Sequence, residues 1–108
     1  MMNPELEFAI VTELAGDRVA VKTENLFLAA QLISIGFRIN ESSTFNLAIR
    51  DEDHRLSVID ILIELGALFS SGRDWSPEEL VRYYVELGKI NKKFKVISWK
   101  NPHGYTIR

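Results

Sequence analysis

Asp51, Glu52, Asp53 and His54 stand consecutively, and nowhere else in the chain do several carboxylates and an imidazole adjoin. Such a run could hold a hard divalent cation through its carboxylate oxygens. It also opens an apolar stretch, and at a helix start Asp and Glu cap free N–H groups and face the positive end of the dipole. The helix-start reading is preferred, because the run lacks the sixth-position glycine of a calcium-binding loop and apolar residues follow. Asp60 and Glu64, one helical turn apart, could form a carboxylate pair for acid–base work. The simpler expectation is a solvated stripe on a helix buried elsewhere. Ser70 and Ser71 have no motif around them. His54 and His103 are far apart in the chain, and nothing in the sequence brings them together.

A different chemistry is offered by "NKKFKVISWK" at 91–100. Alternate residues of a strand share a face. Lys93, Lys95, Ile97 and Trp99 then fall on one side, and Phe94, Val96, Ser98 and Lys100 on the other, core-facing side. Ammonium groups beside an indole, with Tyr105 as a second ring, are what single-stranded nucleic acid uses for phosphate contact and stacking. The competing expectation is a lysine-guarded edge strand.

No phosphate-cradling glycine loop, GxSxG or HExxH occurs, and there is no cysteine, so disulfides and thiolate metal sites are excluded. No cofactor or metal is expected, and the chain is expected not to be an enzyme. At 108 residues, 46% apolar and 26% charged, it reads as one globular domain, 1–108. "MMNPELEF" lacks the features of a signal peptide, and "LFLAAQLISIGF" is too short to span a bilayer. A cytoplasmic protein without membrane contact is expected.

The elements that must position these groups follow from pattern. "LEFAIVTEL" and "RVAVKT" flank Gly16-Asp17 and predict a hairpin. "TENLFLAAQLISIG" predicts a helix capped by Thr23, stopped at Gly36 and covered on most sides, since it is apolar almost all round. "FRIN" and "TFNLAIR" around "ESS" predict a second hairpin. Residues 51–66 predict a second helix whose outer stripe is Asp53, Ser57, Asp60 and Glu64, ending at Gly66. "SSGRDW" at 70–75 reads as a loop. "SPEE" at 76–79 predicts a third helix, with Ser76 as cap, Pro77 first and Glu79 as the reciprocal capping partner, stopped at Gly88. Strands over 93–99 and 105–108, joined by "NPHG", complete the chain. The predicted class is α+β, an antiparallel or mixed sheet with about three helices in the order ββαββααββ, the helices on one face burying the two most apolar of them. "AVKTE" and "AIRDE" precede similar Leu-to-Gly intervals at 26–36 and 56–66, a faint internal repeat.

Charge is unevenly spread. Residues 87–108 carry six Lys or Arg and no acid, whereas residues 1–86 carry seven basic and fifteen acidic side chains. The overall pI of 5.7 disfavours a dedicated nucleic-acid binder, which is usually basic. The carboxylates of the second helix, Glu52, Asp53, Asp60 and Glu64, offer a line that a basic protein could meet.

In size, acidity, absence of cysteine, α+β pattern and the helix-then-strand run "WSPEELVRYYVELGKINKKFKVISW", the chain resembles the small bacterial immunity proteins of contact-dependent growth-inhibition and related polymorphic toxin systems. The resemblance implies binding to a cognate toxin domain, often a basic nuclease, with acidic side chains standing in for phosphates. The expected function is therefore a non-enzymatic protein-binding module working through Glu52, Asp53, Asp60 and Glu64. The alternative is a small nucleic-acid-binding or regulatory protein using Lys93, Lys95, Trp99 and Tyr105. The residues demand no particular oligomeric state.

Overall fold

The computed structural model describes residues 4–41, 43–72, 75–101 and 104–108. A short 3-10 turn, Pro4–Leu6, leads into β1 (Ile10–Glu13) and β2 (Arg18–Lys22), the predicted hairpin around Gly16. Then follow α1 (Leu26–Ser34), the second hairpin β3 (Arg38–Glu41) and β4 (Thr44–Ala48), and α2 (Glu52–Glu64). A three-residue strand β5 (Leu68–Ser70) precedes α3 (Pro77–Glu86), and β6 (Lys95–Asn101) pairs with β7 (Gly104–Ile107). The class is α+β as expected, but the order gains a strand between the second and third helices. Ser70, assigned to a loop, ends that strand. Arg73 and Asp74 of the same predicted loop, Pro102 and His103 of the "NPHG" turn, and the Lys100 side chain lie outside the described residues.

The helix ends obey local rules. Asp51 Oδ1 accepts the His54 N–H at 2.8 Å, so the acidic run is a helix cap. Asn25, not Thr23, caps α1, accepting the Leu28 N–H at 3.0 Å. Thr23 is buried instead, donating its hydroxyl to the Phe8 carbonyl at 3.0 Å. At the far ends Gly36, Gly66 and Gly88 have φ of 110°, 78° and 76°, the left-handed region that an L side chain enters at a cost. Each closes a Schellman motif: Phe37 N–H reaches the Leu32 carbonyl, Ala67 N–H that of Leu62 and Lys89 N–H that of Tyr84, at 2.9–3.0 Å.

The strands form one mixed sheet in the order β3-β4-β2-β1-β5-β6-β7, with β5 parallel to both β1 and β6 and every other pair antiparallel. Pairing directions make β4 parallel to β5, and β3 parallel to β2. Helix α1 thus joins β2 to β3 in one direction across the sheet, while α2 and α3 join β4 to β5 and β5 to β6 in the other. Because β2 runs opposite to β4 and β5, right-handed crossovers place all three helices on the same face. There Leu28 and Leu32 of α1, Val58, Ile59 and Leu62 of α2, and Leu80, Val81 and Tyr84 of α3 close on Val11, Val19, Val21, Phe45 and Phe69.

The expectation that α1 is covered on most sides is corrected. Leu28 and Leu32 are buried, but Leu26, Phe27 and Ile33 are exposed. A short helix at one side of a two-layer sandwich has a single neighbour surface, and apolar sequence alone creates no second one. On the helix-free face Ile10, Leu68 and Ile97 form a second, smaller cluster, with Phe8 and Tyr105 packed against it. Ile97, placed with the lysines on an exposed strand face, is therefore fully buried.

Phe69 lies at the centre of the main core, fully buried and edge-on to Phe94, with ring centroids 5.8 Å apart. Phe69→Ala removes this ring from a strand buried on both faces. It is expected to lower unfolding free energy by about 3–5 kcal/mol, read as a lower urea midpoint at unchanged slope.

Candidate functional site

The four acidic residues proposed for partner contact all stand on α2. Glu52, Asp53 and Glu64 are exposed and Asp60 is half-buried, so the predicted stripe faces outward. It is not bare. The segment between α3 and β6 runs beside the helix: Lys92 Nζ donates to Glu64 Oε1 at 2.6 Å, and Lys89 Nζ stands 3.6 Å from Glu52 Oε1. Asp60 adds its field to that at Lys92. The first lysines of the basic tail thus neutralise half of the acidic row. Opposite charges far apart in sequence interleave in the fold.

The hydrogen bond from Lys92 holds the Glu64 carboxyl below the ordinary carboxylate value, and the same bond raises the Lys92 ammonium. Both groups are solvent-facing, so the pair's effect on stability is small. Its sign is fixed. The lowered carboxyl stabilises the fold above its ordinary titration range, and this is lost as pH falls through the folded value. The raised ammonium stabilises below its ordinary range, and this is lost as pH rises through the folded value.

The basic and aromatic set is divided differently. Lys93 lies before β6 in the connecting segment. Lys95 and Trp99 point to the helix-free face, since Lys95 is in register with Leu68 and Trp99 with Tyr105. The indole is 54% exposed, and its ring centroid is 5.7 Å from that of the half-buried Tyr105, at 62°. Lys95 and Trp99 are four residues apart on one strand, about 13 Å, with buried Ile97 between them. Three of the four predicted residues therefore share one surface. By strand register Arg18, Lys22 and Arg38 lie further along the same face. Glu13 pairs with Arg18 at 3.0 Å.

A site with no motif behind it lies at the carboxyl ends of the parallel strands β1 and β5, where the chain departs in opposite directions. Such switch points form crevices. Here the crevice has a volume of 300 Å³, and its lining includes Thr12, Glu13, Ser70, Ser71, Trp75 and Ser76. Its polar groups are largely engaged within the fold. Ser71 Oγ and Ser98 Oγ bond at 2.9 Å, and Thr12 Oγ1 donates to the Ala20 carbonyl at 3.3 Å. Ser76 Oγ accepts the Glu79 N–H at 3.4 Å, capping α3. No signal in the sequence marks these residues as a set, because two segments far apart in the chain, 12–15 and 70–77, supply them.

Among the described residues, no three His, Asp or Glu converge to hold a metal ion. His54 Nδ1 accepts the Arg50 N–H at 3.1 Å, and Asp51 is engaged as the cap. No helix of the described residues is long and apolar enough to cross a membrane.

Fold and surface together define a single α+β domain with one helix-covered and one helix-free sheet face. Compared with known proteins, the chain matches no family model, no curated protein and no solved structure.

In Lys92→Met the Glu64 carboxyl is expected to titrate at higher pH than in the native chain, as followed by carbon-13 NMR. An unchanged titration would mean that the ion pair does not form in solution.

Proposed function

We propose that this chain is a non-catalytic binding protein that docks a protein partner on the helix-free sheet face around Trp99 and Tyr105. One observation carries this reading: a half-exposed indole on a paired strand, braced by a tyrosine ring on the next. Tryptophan and tyrosine provide the anchors of most protein interfaces, because each covers much area at the cost of few rotatable bonds. The strand pairing holds both backbones before a partner arrives, so little ordering is left for the binding step. In the sense of the immunity-protein resemblance, the partner is a cognate toxin domain. The α2 carboxylates lie on the helix-covered side, away from this surface, and Glu52 and Glu64 are already paired within the chain.

The first partner to test is the product of the adjacent open reading frame, with affinity measured by calorimetry. Trp99→Ala is expected to weaken the complex about 30-fold, the effect of losing a hot spot of about 2 kcal/mol. Asp60→Lys and Glu64→Lys are expected to change it about threefold or less at moderate salt. Absence of a complex, or native affinity in Trp99→Ala, would overturn the reading.

A second reading, single-stranded nucleic acid, is favoured by the placement of Lys95 on the same face as both rings. It predicts micromolar binding of a labelled oligothymidylate that weakens steeply with salt and is lost in Trp99→Ala. No binding at low salt would remove it.

A further inference from the structure

We infer that the chain self-associates: the outer face of α1, with Ile39 of the edge strand β3, meets the same face of a second copy across a two-fold axis. Leu26 is 86% exposed, Phe27 69%, Ile33 55% and Ile39 60%, a group of exposed apolar side chains at one edge of the sheet. Leu26 and Ile39 line one open groove of 310 Å³, floored by Ala29 and Phe45, so helix and strand form a continuous surface.

Area and charge favour a second copy as the occupant. At ordinary maximal exposures the four side chains present roughly 500 Å² per copy, so two copies would cover on the order of 1,000 Å², the size at which specific interfaces begin. A patch of that extent is at the upper end of what a monomer leaves bare. From Leu26 to Ser34 the helix has no charged residue. Glu24 lines the groove beside Leu26, but along the helix itself a charged foreign partner would find no opposite charge, whereas an identical helix face is equally uncharged. An isologous contact also sets the two copies of α1 antiparallel when the axis crosses the helix at right angles, so their dipoles oppose favourably. Trp99 and Tyr105 lie on the opposite sheet face towards the other edge, so the dimer leaves both copies of that surface open.

Sedimentation equilibrium from about 1 to about 500 µM tests the inference, because a homodimer is set by protomer concentration. The native chain is expected to dimerise, Trp99→Ala to dimerise equally, and Phe27→Glu to raise the dissociation constant at least about 100-fold, since each dimer loses two anchors. A chain monomeric throughout, or a dimer that Phe27→Glu leaves intact, would overturn it, whatever else the face binds. A second measurement does not depend on the charge variant. Ala30 is exposed at mid-helix, and the chain has no cysteine of its own. Oxidation of Ala30→Cys is expected to give a covalent dimer, and oxidation of Ala48→Cys is not. Equal cross-linking of the two would also overturn the inference.

Discussion

The architecture depends on a coupling between strand direction and direction of travel. The crossover from β2 and the later ones from β4 and β5 travel in opposite directions across the sheet and leave from strands that point opposite ways, so right-handed crossovers deliver α1, α2 and α3 to one layer. Strand β5 makes this possible. Three residues long, it lies between β1 and β6, parallel to both, and it carries Phe69 into the helix layer and Leu68 into the opposite cluster. A sheet with all its helices on one side has two unlike faces. One is filled by helix side chains. Among the described residues, the other is covered by its own strands and by Phe8 of the N-terminal segment, and Trp99 is accessible.

Much of this was legible in the residues, for identifiable reasons. The glycine stops at 36, 66 and 88 were readable because the left-handed residue that ends a helix is nearly always glycine beside an apolar anchor. Ser76-Pro77 and the acidic start of α2 were readable because caps are local chemistry. Strand β5 was not, because a three-residue strand buried on both faces shows no alternation, and periodicity was the signal being read. The same limit misplaced Ile97. Alternation correctly put it opposite Val96, but a sheet can have a core on both sides, and which face is wet is decided by segments distant in sequence. The cap of α1 moved by two residues because buried Thr23 is tied to its surroundings, donating its hydroxyl to the Phe8 carbonyl and accepting the Asn25 N–H, while Asn25 meets the Leu28 N–H.

Charge was the least legible property, because counting along a chain carries no information about proximity. The tail is basic and the preceding part acidic, yet the fold lays the α3–β6 connection along α2 and pairs Lys92 with Glu64 and Lys89 with Glu52. The asymmetry is consumed inside the molecule, at least in its first two lysines. Lys95 escapes because strand alternation turns it to the other face of the sheet, away from the helices that carry the acid. A residue's place in a strand, rather than its place in a charge run, decides whether its charge is available to a partner.

The exposed apolar regions at β6–β7 and on α1 differ in kind, and the difference bears on what each can do. At β6–β7 the exposed indole of Trp99 and the half-buried ring of Tyr105 stand beside a lysine and rest on paired strands, so they offer rigid rings with polar edges and suit recognition of a chemically mixed surface. On α1 they are aliphatic and phenyl, on a nine-residue helix without charge. Such a face has nothing with which to orient a polar partner. Its contribution is area alone, and area alone is best matched by a face of the same composition and curvature. A chain that displays both surfaces gains by covering the second with itself, since the hydrophobic stabilisation of the contact comes with no loss of the ring pair that faces outward. One-sided layering is what separates the two regions: the helices take the apolar face of α1 to one side of the sheet and leave Trp99 on the other.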